Sequence, residues 1–241
     1  MKKSRPFQKP LSREALNSNP FDELAECYDA WFDRPKGRRI FAVEAHTLRD
    51  LLEEMPRPWL EVGVGTGRFA QALGVDDGID PSPEALKIAA QRRINTQPGY
   101  GENLPYPDST YGTVLMIVTI CFLSEPAKAL REAGRVLRSN GRLLVGLVPQ
   151  DSPWGRFYAQ KGKEGHPFYS AATFYTCTDV IKMAKSEGFD LERAGSCLFE
   201  PPDANVPAYV RSREALDANA GFVGMRFKLS DTKRNIGAAS S

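Results

Sequence analysis

Between Trp59 and Phe69 the chain reads Trp-Leu-Glu-Val-Gly-Val-Gly-Thr-Gly-Arg-Phe. A short apolar run enters a loop with a glycine at every second position, and a helical pattern leaves it. Gly63, Gly65 and Gly67 carry no Cβ, so the backbone can turn tightly there and approach a ligand closely. The first amides of the following helix have no intrahelical acceptor and add polar groups at the same point. The spacing separates nucleotide classes: a dinucleotide fingerprint, G-x-G-x-x-G, needs a glycine where this chain has Arg68. The observed pattern is E-x-G-x-G-x-G, which disfavours a nicotinamide-dependent oxidoreductase. The next apolar run, Gly78-Ile79-Asp80, ends on a carboxylate placed to accept both hydroxyls of a ribose.

Ahead of this unit, Phe21, Leu24, Ala25, Tyr28, Trp31 and Phe32 recur at three- and four-residue spacing, which is a helical stripe. Pro35 and Gly37 read as breakers. A second stripe, Ile40, Val43, Thr47, Leu48, Leu51, Leu52 and Met55, ends before Pro56. Beyond the glycine loop, apolar runs alternate with helical segments: a helix over 68–73, then Gly78 to Asp80, then a helix from Pro83 to Arg92 capped by Ser82. The continuous run Val114 to Val118 suits a central strand covered on both faces. A helix from Glu125 to Arg138, closed by Asn140-Gly141, precedes a strand from Arg142 to Val148. Such alternation implies right-handed crossovers and a doubly wound α/β sheet. The final third predicts a loop or short helix over 153–163, a helix over 178–187 and strands near 191–199 and 222–229.

Composition excludes several classes. Of 241 residues 41% are hydrophobic and 26% charged, so a disordered or fibrous chain is out. With 32 Lys and Arg against 30 Asp and Glu the net charge is +2, which argues against a nucleic-acid binder with a basic face. The longest apolar stretch, Val114 to Leu123, is half the roughly 20 residues a membrane helix needs. Four scattered cysteines and two histidines form no metal or disulfide pattern. The basic start Met1 to Arg5 has no apolar region after it, so the expected location is cytoplasmic. Residues 1–20 and 230–241 read as a flexible arm and a flexible tail.

Four motifs in order carry a resemblance: Glu61-Val62-Gly63-Val64-Gly65-Thr66-Gly67; Gly78-Ile79-Asp80-Pro81-Ser82-Pro83; Gly101-Glu102-Asn103-Leu104-Pro105-Tyr106-Pro107-Asp108; and Arg135-Val136-Leu137-Arg138-Ser139-Asn140-Gly141-Arg142-Leu143. Together they resemble the class I S-adenosylmethionine (SAM)-dependent methyltransferases, type 11 methyltransferase domain, well over Phe21 to Val148 and loosely beyond. The resemblance implies a Rossmann-like, doubly wound, seven-stranded, mostly parallel sheet with an N-terminal helical cap. It implies one domain over 21–229: a cap (21–55), a SAM-binding core (56–150), an acceptor-side insertion (151–177), and a late helix and strands (178–229).

Carried over by position, the resemblance puts Glu61 and the loop Gly63, Gly65, Thr66 and Gly67 around the methionine moiety, Asp80 on the ribose, and Glu102 and Asn103 beside the adenine. Gly99 and Tyr100 stand where many relatives have an acid, which leaves stacking by Tyr100 as the alternative. Tyr28 is a candidate cofactor contact, because an aromatic face attracts the sulfonium cation. Thr119 and Cys121 follow the strand whose end faces the ligand crevice, and His166 lies in the acceptor-side insertion, so these three are the candidate substrate contacts. The expected activity is SN2 transfer of the SAM methyl group to a small-molecule acceptor, with no catalytic triad and no metal. The alternative is a non-catalytic SAM-binding regulatory protein on the same fold.

Overall fold

The computed structural model describes residues 20–204 and 212–230; the expected arm over 1–20 and tail over 230–241 lie, but for Pro20 and Ser230, outside the described residues. In chain order, α1 (Pro20–Glu23), α2 (Ala25–Trp31) and α3 (Pro35–Leu51) precede β1 (Trp59–Val62). Then come α4 (Arg68–Leu73), β2 (Asp77–Asp80), α5 (Pro83–Gln91), β3 (Asn95–Pro98) and β4 (Tyr111–Ile117). The chain continues through α6 (Pro126–Val136), β5 (Leu137–Leu147), α7 (Pro153–Lys163), α8 (Cys177–Ser186), β6 (Phe189–Cys197) and β7 (Phe222–Leu229). Single 3-10 turns lie at Ile120–Phe122 and Tyr169–Ala171.

The sheet has the order β3-β2-β1-β4-β5-β7-β6, parallel from β3 to β5 and antiparallel where β7 joins β5 and β6. It is the expected seven-stranded, mostly parallel, doubly wound architecture. Every residue of β1 and β4 is buried, because α3, α4 and α5 pack on one face and α6 and α8 on the other. The strand order reverses between β1 and β4, so the loops after these strands diverge and leave a crevice at their carboxyl ends.

Three boundaries differ from the reading of the sequence. Pro35 does not end a helix but begins α3, at the first helical position, where its missing N–H and fixed φ are harmless. Gly37 lies inside that helix because α2 presses on it: a Cβ there would sit 2.1 Å from the Trp31 carbonyl oxygen. Asn140-Gly141 does not separate α6 from β5, which starts at Leu137 and absorbs the pair beside a register irregularity opposite Tyr111 and Thr113. The edge strand β3 carries only polar residues and proline, so no apolar run announces it.

Candidate functional site

The glycine loop is fixed to the sheet by its own backbone. The amides of Gly63 and Val64 donate to the Ile79 carbonyl at 2.8 and 3.1 Å. Gly63 and Gly65 both have positive φ, +72° and +51°. At Gly63 a Cβ would lie 2.4 Å from Thr119 Cγ2, whereas at Gly65 it would meet nothing within 4 Å, because that position faces open space. Asp80 closes the arrangement: its Oδ2 accepts from the Gly65 amide and its Oδ1 from the Ser82 amide, each at 2.9 Å. Burial, and then the charge of Asp22, raise the Asp80 carboxyl above its ordinary range against these two donors.

These groups border a cavity of about 490 Å³ at the carboxyl ends of β1, β2 and β4. Gly63, Gly65, Asp80, Glu102, Thr119 and Tyr28 line it, with Tyr100 exposed at its edge. Glu102 works mainly as a brace. Burial raises its pKa, but the Glu125 amide, its own amide, and the hydroxyl and amide of Ser124 outweigh that and hold the carboxyl below the ordinary range. It thereby ties the loop after β3 to the loop after β4.

Four of the candidate cofactor residues stand outside the cavity wall. Glu61 is buried beneath the loop, with one oxygen on the Ala70 amide and Oε2 lacking a hydrogen bond; burial and then Asp80 hold its carboxyl well above the usual range. Thr66 is buried, and its carbonyl accepts from Arg92 Nη1 at 2.6 Å. Gly67 caps α4, and a Cβ there would lie 2.5 Å from Ile94 Cδ1. Asn103 is exposed.

The helices before β1 are stapled over this edge at two places. Asp22 Oδ1 accepts from Ser82 Oγ at 2.9 Å and from the Glu84 amide at 3.2 Å. Asp29 Oδ2 pairs with Arg68 Nη2 at 2.7 Å and Arg92 Nη2 at 2.8 Å, with all three side chains largely buried. Neither staple is visible in the sequence, because the partners lie 60 or 39 to 63 positions apart with no spacing rule between them.

A second cavity, of about 270 Å³, adjoins the first, sharing Phe21, Tyr28, Val118 and Phe122 as a common wall. The Phe21 ring meets Phe122 at 4.8 Å, Phe168 at 5.0 Å and Tyr28 at 5.5 Å, so the partition is an aromatic cluster drawn from three segments. Cys121 and His166 come together on this wall, while Thr119 stays on the first cavity. Burial pushes the Cys121 thiol up to about 12, so it is a thiol and not a thiolate at neutral pH. The His166 ring stacks on Tyr169 at 4.3 Å, and burial followed by Lys161 lowers its pKa, leaving a neutral imidazole. Glu44 of α3 also lines this cavity and escaped the reading of the sequence. Its signal is position: it stands four residues after Ile40 and four before Leu48, on the apolar stripe itself.

Comparison with known proteins fits this geometry. The family model described as "Methyltransferase domain" matches residues 60–145. An uncharacterized protein of Mycobacterium tuberculosis is 39% identical over 201 residues, 83% of this chain and 70% of that protein. A demethylmenaquinone methyltransferase of Thermotoga maritima is 27% identical over 214 residues, 75% of this chain and 88% of the relative. The crystal structure of a SAM-dependent methyltransferase from the same organism, a possible histamine N-methyltransferase, superposes with a TM-score of 0.79 at 33% identity, covering 87% of this chain and 97% of that one.

Proposed function

Since the chain belongs to the class I SAM-dependent methyltransferases, we propose that it transfers a methyl group to a small-molecule acceptor held in the aromatic cavity beside the glycine loop. The observation that carries this reading is the pair of adjoining cavities, one lined by the glycine loop and two carboxylates, the other aromatic, with Phe21, Tyr28, Val118 and Phe122 common to both. Such a pair suits two ligands meeting at a shared wall. The net charge of +2 and the modest second volume favour a small acceptor over a nucleic acid. Two of the similar proteins, the demethylmenaquinone methyltransferase and the possible histamine N-methyltransferase, carry the names of small acceptors.

The residues of the first cavity fit the cofactor. Gly65, whose missing Cβ opens onto free space, leaves room for a ligand against the backbone, and Gly63 continues that cradle for the methionine part. Asp80 keeps lone pairs beyond its two amide contacts for the ribose hydroxyls, and Glu102 walls the base end. When bound, SAM supplies an electrophilic methyl group on a sulfonium, ready for in-line displacement. The chain contributes alignment and a dry site, terms worth roughly 7–11 kcal/mol in well-oriented intramolecular reactions. Tyr28, raised well above the ordinary phenol range by burial, keeps its proton and faces both ligands as a neutral hydroxyl on an aromatic ring.

The test is calorimetric titration with SAM and S-adenosylhomocysteine, followed by turnover assays with amine, thiol and hydroxyl acceptors. Micromolar binding and release of S-adenosylhomocysteine in the presence of an acceptor are expected. Absence of cofactor binding would remove the reading, and binding without turnover on any acceptor would make the chain a SAM binder.

A further inference from the structure

Glu44 is a buried carboxyl that the cofactor site does not use. It lies mid-helix in α3, only 7% exposed, on the wall of the aromatic cavity, and it makes no hydrogen bond or ion pair among the described residues. A solitary buried carboxylate is costly, and the cost is relieved only by a cation or by protonation. No lysine or arginine among the described residues reaches it; Arg34, on the same wall, is exposed and forms no ion pair with it. Rings make up much of the rest of the wall, among them Trp31, Phe32, Phe69 and Phe174, and aromatic rings attract organic cations. At about 270 Å³ the space sits just under the roughly 300 Å³ at which ligand pockets usually begin, so the occupant is small.

We propose that this cavity takes an amine acceptor, a protonated primary or secondary amine on a compact apolar body: the Glu44 carboxylate pairs to the entering ammonium and then takes one of its protons, which frees the nitrogen lone pair to attack the methyl group as the sulfur leaves in S-adenosylhomocysteine, and the rings cover the rest. The proposal rests on the methyltransferase reading and narrows it to a substrate class. It carries a signature of its own. Burial pushes the empty Glu44 carboxyl up to about 8, so near pH 7.5 it is largely protonated, and an entering ammonium displaces that proton to the solvent. The neighbouring groups do not compete for that role. Burial raises Tyr28 of α2, Tyr158 of α7 and Cys197 of β6 above their ordinary ranges and pushes Tyr169 and Cys121 up to about 12, so all stay protonated. His166, lowered by burial and Lys161, is already neutral.

The experiment uses the full chain saturated with S-adenosylhomocysteine, titrated at pH 7.5 with 2-phenylethylamine and with its neutral counterpart 2-phenylethanol. Phosphate and Tris serve as buffers, because their ionisation heats differ. The amine is expected to bind about tenfold or more tightly than the alcohol and to release protons to the buffer. In Glu44→Gln that preference falls to about twofold or less and the proton release disappears, while S-adenosylhomocysteine affinity stays at the wild-type value and reports an intact fold. Equal or tighter binding of the alcohol, which would mark a neutral acceptor, overturns the proposal. So does a preference that survives in Glu44→Gln, or an amine that fails to bind at millimolar concentration. The wild-type comparison needs no variant. Loss of S-adenosylhomocysteine binding by the wild-type chain would instead remove the methyltransferase reading itself, so the two failures are told apart.

Discussion

The cofactor-side cavity and the aromatic cavity share a wall but are built differently. The first is shaped by backbone: two loop glycines with positive φ, amides fixed to the Ile79 carbonyl, and two carboxylates that brace the loops they line. Most of it comes from the turns that end β1, β2, β3 and β4, within about 60 residues of each other. The second is shaped by side chains from α1, α2, α3, the turn after β4, α7 and the segment beyond it. Its only buried carboxyl among the described residues, Glu44, has no bracing donor. A backbone-built site tolerates few changes and keeps one ligand, whereas a side-chain-built site can change its occupant by changing a few rings.

The largest expected effect tests the backbone side. In Gly65→Arg, a side chain forced into the left-handed region costs roughly 1–2 kcal/mol and its bulk fills the cradle, so S-adenosylhomocysteine binding should fall by at least about 100-fold while the melting temperature drops by about 2–8 °C and the chain stays folded at 25 °C. Retained binding would break the view that the loop backbone forms the site. Asp80→Ala comes next. It removes a charged acceptor from two amides and from the ribose site, and a loss of about 1.5–3 kcal/mol, or about 10- to 100-fold in affinity, is expected by calorimetry.

A third prediction concerns the aromatic side and has a definite sign. Glu44 titrates near 4.5 in the unfolded chain and near 8 when folded, so the folded protein binds more protons between these values. Its stability therefore falls as pH rises through that window, by at most about 5 kcal/mol. Glu44→Gln removes this dependence but buries an amide in its place. The net gain is about 2 kcal/mol at pH 8, or roughly 4–8 °C in Tm, shrinking to nothing or reversing towards pH 4.5. Melting curves at both pH values check it. A stabilising loss of this unbraced carboxyl would mark it as kept for a ligand. The smallest effect is at Cys121: brief iodoacetamide treatment at pH 8 should modify exposed Cys27 and spare Cys121, as mass spectrometry can read, and Cys121→Ala should change S-adenosylhomocysteine affinity by less than about twofold.

The same contrast explains what could be read in advance. Val62 to Gly67 and Asp80 were legible because turn geometry restricts residue type, and a fixed spacing reports a fixed turn. Pro83 with its Ser82 cap was legible for the same local reason, and the Ser82 hydroxyl does accept from the Ala85 amide. Pro35 misled, since proline reads as a stop although at the first helical position it is a start. The brace at Glu102 and the staple from Asp29 to Arg68 and Arg92 stayed hidden, because their partners meet only after the chain has closed. Glu44 was overlooked because one polar residue on an apolar stripe reads as an exposed neighbour of it.

The sequence by itself determined the strand-loop-helix unit, the alternation that makes a doubly wound sheet, and the family, because these depend on local conformational rules and short spacings. Only the tertiary structure decided that α1 and α2 are stapled over the sheet edge, that Phe21 and Tyr28 divide one cavity from another, and that a carboxyl on α3 looks into the second. Those features depend on burial and on charges brought together from distant positions, and neither exists until the helices pack.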